Sequence, residues 1–271
     1  MDITEIRRDL LAEQQALDAI VAPLRPEQWA LPTPSPRWTV ADQIGHLTYF
    51  DRTAAQAIEE PAEFIAGVER LLATADDGDP DAFTLNEFRA MEPAPLLAAW
   101  RDGRQQLADT AAGLDDADRV VWYGPSMGAK SFLTARLMEA WAHGQDIVDA
   151  LSGAGIDVDR EATDRLRHIA QLGYITRGWT YANRGLDVPD VPVRVSLSSP
   201  SGDQWEFGPS PDSDPKPDSI EGPALHFCLI TTQRRHVDDT DLVVTGASAR
   251  DWMERAQLFA GPPTDGPAAR S

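Results

Sequence analysis

The segment Ser131-Phe-Leu-Thr-Ala-Arg-Leu-Met-Glu-Ala-Trp-Ala-His-Gly-Gln-Asp146 decides the fold of this chain. It predicts a helix that runs from Ser131 to about Leu151 and ends at the Ser-Gly-Ala-Gly that follows. Glu139 and His143 are four residues apart on this helix, so both side chains project from one face with Cβ atoms about 5–6 Å apart. That spacing allows a carboxylate oxygen and an imidazole nitrogen to reach one metal ion.

A third ligand for such an ion has to come from another part of the chain, and His46 in Ile44-Gly-His-Leu47 is the best candidate. It lies within a predicted helix beside Gly45, a residue that permits close backbone approach. Two histidines and one carboxylate leave a coordination position open for water or substrate, as in catalytic zinc sites. The Glu–His spacing is more often that of a surface pair, and a lone histidine is more often packed, so both interpretations stay open from the residues alone.

Apolar residues at a helical period predict further helices around this segment. The first begins near Ile3 and ends before Pro23, and prolines in 31–36 keep it apart from the second. Thr39 is the predicted N-cap of the second helix, with Asp42 three residues on in a capping-box arrangement. The other elements predicted here are an acidic turn at 75–81, a loop at 124–128 and helices at 93–114 and 160–183.

After about residue 185 the pattern changes to the alternation that is typical of strands. Strands are predicted at 191–197, 204–207, 219–222 and 241–245, with helices at 223–232 and 247–259. These elements indicate a small α+β domain that follows a helical one. The predicted boundaries are 1–185 for the helical metal-binding domain, 186–262 for the small α+β domain and 263–271 for a disordered tail.

Composition narrows the possible partners. The 271 residues carry 44 Asp and Glu against 24 Lys and Arg, which gives a net charge of −20 and would repel nucleic acid and anionic membrane surfaces. No apolar run approaches the roughly 18 residues that a membrane span needs. Cys228 is the only cysteine, which excludes disulfides within the chain and favours a cytoplasmic protein. A monomer or homodimer that acts on small molecules is expected.

Two segments carry a resemblance to a known family: Trp38-Thr-Val-Ala-Asp-Gln-Ile-Gly-His-Leu47 and Met138-Glu-Ala-Trp-Ala-His-Gly-Gln-Asp146. They resemble the DinB-like superfamily and, more closely, the metal-binding domain of the mycothiol-dependent maleylpyruvate isomerases. The resemblance implies a metal site at His46, Glu139 and His143, with zinc the usual ion. It also implies a mainly α fold in which a DinB-like four-helix bundle precedes the small α+β domain, so that one of the five predicted helices is an accessory.

The C-terminal region is more loosely similar to the small domain of the same family, through Glu221-Gly-Pro-Ala224, Thr240-Asp-Leu-Val-Val-Thr-Gly246 and Trp252. Family members bind mycothiol, a low-molecular-weight thiol of actinobacteria, and their metal lowers the pKa of its thiol. The resemblance therefore implies a metal-dependent transferase or isomerase that uses mycothiol on a small electrophile. Two alternatives stay open: a thiol-independent metal-dependent hydrolase or lyase, and a metal-binding protein without turnover.

Two aspartates are candidates to support the ligands. Asp42 precedes His46 by four residues and Asp146 follows His143 by three, so either carboxylate could accept the free ring N–H of its histidine. Asp146 could alternatively be a fourth ligand. An exposed charge on a helix is the competing interpretation for both.

Other residues are candidates for binding the thiol cofactor or the substrate. Trp122 and Tyr123 precede the metal-binding helix and could form an apolar wall with polar tips, although core positions are the commoner outcome. Arg52 and Arg136 flank the ligands, and a cation there could hold a carboxylate, although an i,i+4 salt bridge is more usual. Cys228 lies in an apolar helix and is expected to be a buried small hydrophobe rather than a nucleophile.

Overall fold

The computed structural model describes residues 2–74 and 81–270 and shows a mainly helical protein with a small sheet in its C-terminal part, which confirms the predicted fold class. The chain divides into two compact units between Asp159 and Arg160. In the described residues of the first unit, the helices are α1 (Ile3–Val21), α2 (Val40–Glu59), α3 (Pro61–Thr74), α4 (Ala82–Arg89), α5 (Pro93–Ala111) and α6 (Ala129–Gly153).

The four long helices of the first unit form its core. Helix α2 packs against α5 and α6, and α1 also packs against both, so the four surround a common interior. The interior is apolar because each helix turns its hydrophobic stripe inward. Its buried residues include Leu17, Ile44, Leu47, Leu96, Trp100, Ile147 and Leu151.

Local signals place the start of α2 where the sequence predicts it. The Thr39 side chain accepts a hydrogen bond from the backbone N–H of Asp42, and the Asp42 carboxylate accepts one from the backbone N–H of Thr39 at 2.8 Å. Both halves of the predicted capping box are therefore confirmed. Asp42 also forms an ion pair with Arg89, at 2.8 Å, which ties α4 to the beginning of α2.

Helices α3 and α4 are elements that the periodicity did not predict, and both pack against α2. Gly45 makes this packing possible, because a Cβ atom at position 45 would lie 2.9 Å from the Cβ of Phe88 in α4. The predicted acidic turn at 75–81 lies, apart from Asp81, outside the described residues.

A short hairpin leads from α5 to α6. Its strands, β1 (Arg119–Val120) and β2 (Met127–Gly128), pair in an antiparallel manner. The predicted loop at 124–128 is thus shorter than expected, since its last two residues form β2. The hairpin turn carries Trp122 and Tyr123.

The second unit contains α7 (Leu166–Ile175), α8 (Arg177–Ala182), β3 (Val193–Ser198), β4 (Gln204–Phe207), β5 (Asp218–Pro223), α9 (Ala224–Thr231), β6 (Val243–Thr245) and α10 (Ala247–Arg255). The sheet has the order β4-β3-β5-β6, with β3 antiparallel to β4 and parallel to β5. Val195 of β3 is aligned with Phe207 on one side and with Ile220 on the other. The predicted strands are confirmed to within a few residues.

The boundary between the units lies earlier than the predicted 185. The single helix predicted at 160–183 is divided at Thr176 into α7 and α8, and α7 packs against α9 of the second unit. Its apolar face is therefore buried within the C-terminal unit. Periodicity identifies such a face but not the surface that covers it.

The last residues, predicted as a disordered tail at 263–271, make hydrogen bonds as far as residue 270. The backbone N–H of Thr264 donates to Gln257 at 3.1 Å, and the amide of Gln233 donates to the Thr264 carbonyl at 2.6 Å. The backbone N–H of Arg270 donates to Asp239 at 3.0 Å. Within the described ranges, no helix is both long enough and apolar enough to cross a membrane.

Candidate metal centre

Three side chains from two helices meet at one point in the first unit. His46 comes from α2, and Glu139 and His143 come from successive turns of α6. Glu139 Oε2 lies 3.3 Å from His46 Nε2 and 2.9 Å from His143 Nε2, and the potential ligand atoms of all three lie within 4.8 Å of one another. We refer to these residues as the triad. Atoms that surround a tetrahedral ion at about 2.1 Å stand roughly 3.4 Å apart, so this spacing suits a single ion.

The electrostatics of the triad favour a cation. Burial, together with the charge of His143, lowers the pKa of His46 to about 4, so its imidazole is neutral at pH 7. Burial alone would raise the pKa of Glu139, but hydrogen bonds from His143 and His46 outweigh it and hold that pKa well below its usual range. The centre therefore combines an ionised carboxylate with a neutral imidazole, which is the protonation state that metal binding requires.

Gln43 orients His143 and was missed by the sequence analysis. Its Oε1 lies 2.5 Å from His143 Nδ1, while its Nε2 donates to Thr33 Oγ1 at 2.9 Å and to Asp146 Oδ2 at 3.5 Å. Because the two acceptors fix the amide nitrogen, the amide oxygen faces His143 and accepts its Nδ1–H. Gln43 is fully buried. A glutamine on the inward face of α2, three residues before His46, was the signal that could have found it.

This orientation strengthens the case for an ion. Because Nδ1 of His143 donates to Gln43, Nε2 is the ring nitrogen that faces the carboxylate of Glu139. Two electron-rich atoms 2.9 Å apart need a positive charge between them, either a proton or a metal ion. The donor set of the triad, two imidazole nitrogens and one carboxylate, fits zinc and other divalent transition metals.

The two predicted supporting aspartates differ in their contacts with the triad. Asp42 is engaged by the cap of α2 and by Arg89, so it does not accept from His46. Asp146 lies 3.9 Å from His143 Nδ1 and accepts hydrogen bonds from Gln43 and from Ser35, the latter at 3.1 Å. It acts on the histidine through Gln43. It also lies on the Nδ1 side of the ring, opposite Nε2, which argues against a fourth-ligand role.

Aromatic rings enclose the triad. Trp38 lies 5.0 Å from the ring of His46 and 5.8 Å from that of His143, and Phe50 lies 4.6 Å from that of His46 (all centroid distances). Neither Trp38 nor Phe50 was predicted as a site residue. The side chains of His46 and Glu139 are still 16% and 18% exposed, so the centre is in partial contact with solvent.

Trp122 and Tyr123 form an outer layer of this wall. Their rings lie 6.2 Å and 5.8 Å from that of Phe50, which separates them from His46. Trp122 stacks on Phe64, and Tyr123 shares a hydrogen bond with the Tyr49 hydroxyl at 3.0 Å. The hairpin therefore contributes apolar surface behind the site.

The two predicted arginines lie in different surroundings. Arg52 donates to Glu87 at 3.2 Å, lies over the ring of Phe88 and is in contact with the backbone position of Gly103. It therefore extends toward α4 and α5, so its predicted role at the site is not supported. Arg136 instead is buried near the triad, where its charge helps to lower the pKa of both Glu139 and His46.

The single cysteine does not belong to this centre. Cys228 is fully buried in α9 of the second unit, and burial raises the pKa of its thiol. A protonated, inaccessible thiol is a poor nucleophile. The described part of the chain therefore supplies no reactive thiol of its own.

Residues 10–148 match the family model described as the mycothiol maleylpyruvate isomerase N-terminal domain, a range that includes the whole triad. Two uncharacterized proteins of Mycobacterium tuberculosis, from strains CDC 1551 / Oshkosh and H37Rv, are each 43% identical over 261 residues. Those alignments cover 95% of this chain and 96% of each relative.

Two crystal structures of the mycothiol-dependent maleylpyruvate isomerase, one of them of a histidine-to-alanine mutant, have similar folds. Their TM-scores are 0.57 and, for the mutant, 0.56, at 13% and 14% sequence identity. Each likeness covers 97% of both chains, so the similarity extends over both units.

Proposed function

The chain belongs to the family defined by the N-terminal domain of mycothiol maleylpyruvate isomerase, and from this we propose that it is a metal-dependent enzyme that uses mycothiol on a small electrophilic substrate. The reaction would be either transfer of the thiol to the electrophile or isomerisation through a temporary adduct. The net charge of −20 supports a small-molecule partner over nucleic acid.

The observation that carries this proposal is the convergence of the triad. Two imidazole nitrogens and one carboxylate oxygen from α2 and α6 lie within 4.8 Å of one another, and partial exposure leaves an approach for a further ligand. Zinc is the ion that we propose, because this donor set and an accessible position are typical of catalytic zinc sites.

His46, Glu139 and His143 would hold the ion. A divalent cation bound there lowers the pKa of a thiol that coordinates it, which makes the thiolate available near neutral pH. Glu139 contributes the one negative charge, and Gln43 keeps the Nε2 lone pair of His143 directed inward. The rings of Trp38 and Phe50 limit the access of water to the centre.

The buried state of Cys228 supports an externally supplied thiol. The thiolate sulfur would form a bond to one carbon of a double bond that is conjugated to a carbonyl group, and the displaced electron pair would pass through the conjugation to the carbonyl oxygen. After rotation about the resulting single bond, return of the electron pair re-forms the double bond and expels the thiolate, which gives isomerisation. Uptake of a proton by the enolate carbon instead leaves the sulfur bound, which gives transfer.

Metal binding tests the first part of the proposal. Zinc titrated into the metal-free chain should bind with a stoichiometry of one, and His46→Ala and Glu139→Gln should each lose most of this affinity. His226→Ala is the matched control, because His226 lies in the second unit outside the triad. Equal zinc binding by all four proteins would reject the site.

Thiol consumption tests the second part. Purified zinc-loaded protein should accelerate the reaction of mycothiol with a panel of small electrophiles, and His46→Ala should abolish the acceleration. Turnover that is unchanged without any thiol would favour a metal-dependent hydrolase or lyase. Zinc binding without turnover of either kind would favour a non-catalytic metal-binding protein.

A further inference from the structure

Thr33 is joined to the triad by a chain of hydrogen bonds with a defined direction. Its hydroxyl oxygen, Oγ1, lies 3.0 Å from the backbone carbonyl of Trp38 and 2.9 Å from Nε2 of Gln43. A carbonyl oxygen can only accept, so the single hydroxyl proton of Thr33 is directed at Trp38. The hydroxyl oxygen is then left to accept a hydrogen bond from Gln43.

The direction of this bond determines the orientation of the Gln43 amide. The end that faces Thr33 must be the NH2 group, because a hydroxyl whose proton is already used cannot donate to an amide oxygen. The same NH2 group points to Oδ2 of Asp146 at 3.5 Å, which is a longer and weaker contact. The amide oxygen is therefore turned to His143, whose Nδ1 lies 2.5 Å away. Thr33 supplies the shorter of the two contacts that hold Gln43 in this orientation.

The loop that carries Thr33 is held in one conformation by its own contacts. The backbone N–H of Thr33 donates to the carbonyl of Trp38 at 2.8 Å, and that of Trp38 donates to the carbonyl of Ser35 at 3.1 Å. Prolines alternate with other residues in 31–36 and restrict the backbone further. The hydroxyl of Ser35 donates to Asp146 at 3.1 Å, so a second residue of the loop contacts the same network. The loop can therefore present the Thr33 hydroxyl at a fixed position.

We propose that Thr33 is a positioning residue of the metal centre, which acts through Gln43 to keep the proton of His143 on Nδ1 and so leaves Nε2 for an ion. This inference rests on the proposed function, since it concerns the same centre. Without the hydroxyl, the amide of Gln43 keeps only its 3.5 Å contact with Asp146 on the NH2 side. The amide can then rotate, and its oxygen no longer faces Nδ1 at all times.

Thr33→Val tests this step, because valine keeps the shape of threonine and removes the hydroxyl. The affinity for zinc, measured by calorimetry on the full-length chain, should fall about 3–10-fold. Thr33→Ser should stay within about twofold of wild type, since serine keeps the hydroxyl. Thr53→Val is the matched control and should also stay within about twofold. Thr53 is likewise half-buried, but its hydroxyl donates to the Phe50 carbonyl of its own helix, at 3.3 Å.

Nitrogen-15 edited NMR of the histidine side chains gives a second reading, which a role in packing alone would not change. In wild type the Nδ1 proton of His143 should resonate far downfield and exchange slowly with water, because it is bonded to Gln43. In Thr33→Val it should move upfield and exchange about fivefold faster. Thr33→Ser should resemble wild type.

An unchanged Nδ1 proton in Thr33→Val would overturn the proposal, whatever the zinc affinity of that variant. Equal losses of zinc affinity in Thr33→Val and Thr33→Ser would also overturn it, because they would assign the effect to packing. Circular dichroism of each variant identifies any misfolding. The NMR measurement is made with and without zinc, so that a wild type that binds no zinc would reject the proposed function while the metal-free spectra still decide the role of Thr33.

Discussion

Asp51→Asn should stabilise this protein above pH 7. Asp51 lies on α2, is only 3% exposed, and accepts hydrogen bonds from Gln14 at 3.0 Å and from the indole N–H of Trp100 at 3.3 Å. Burial raises the pKa of its carboxyl from 3.8 to about 7, against the opposing charge of Arg136. The folded protein therefore favours the protonated form.

The magnitude follows from the size of this shift. A carboxyl whose pKa is higher in the folded state binds more protons there than in the unfolded chain, so stability falls as pH rises between the two values. About 1.36 kcal/mol per pKa unit gives a loss of roughly 4 kcal/mol in the free energy of unfolding between pH 4 and pH 7. Asparagine keeps an oxygen that can accept from both donors but has no proton to lose. The Asp51→Asn variant should therefore keep the free energy of unfolding that wild type loses over this pH range.

Urea unfolding followed by far-UV circular dichroism measures the difference. Metal-free wild type and Asp51→Asn should have similar stability at pH 4, and the variant should be more stable by up to about 4 kcal/mol at pH 8. Asp18→Asn is the control with the opposite sign, because the hydrogen bond and charge of Arg101, with Arg104, lower the pKa of Asp18. The ion pair between Asp18 and Arg101 stabilises the folded protein at neutral pH and is lost as pH falls. Asp18→Asn should therefore lower the free energy of unfolding at pH 8.

A difference between Asp51→Asn and wild type that stays constant from pH 4 to pH 8 would refute this reasoning. So would a variant that is less stable than wild type at pH 8. The carbon-13 shift of the Asp51 carboxyl gives an independent reading, with a midpoint expected near pH 7.

Three further predictions follow from the contacts around α2. Gln43→Met should weaken zinc binding by about 10–100-fold, since it removes the acceptor that orients His143; calorimetry with exposed Gln105→Met as control measures this, and equal affinities would contradict it. Gly45→Ala should lower the free energy of unfolding by about 1–2 kcal/mol in urea, because the 2.9 Å contact of the new Cβ with the Cβ of Phe88 outweighs the higher helix propensity of alanine. A more stable variant would show that α4 moves to make room for the methyl group. Asp42→Ala should lower the free energy of unfolding by about 1 kcal/mol, because it removes one half of the capping box, and should change zinc affinity less than twofold. A large loss of zinc affinity would show that Asp42 does support the metal centre.

The spacing of residues along α6 was enough to identify the pair at the centre of this protein. Glu139 and His143 share a face because any α-helix brings residues four apart together, whatever surrounds it. The capping box at Thr39 was equally predictable, since both of its hydrogen bonds lie within four residues. His46 was proposed from the resemblance and its motif, and the fold brings it within 3.3 Å of Glu139.

The partners of these residues could not be read from the chain. Asp42 and Asp146 had suitable spacing, yet Gln43 receives the ring N–H of His143 because the rotation of α2 against α6 places its amide there. Arg52 and Arg136 both flanked the ligands in sequence, but they extend to different surroundings.

Helix period and capping are properties of the local backbone, so a short stretch of sequence fixes them. Which acceptor meets which donor depends on how neighbouring helices rotate and pack, and that is set by contacts between residues about a hundred positions apart. The spacing of Glu139 and His143 therefore belongs to the sequence. The orientation of His143 and the burial of Arg136 near the triad belong to the packing of the helices.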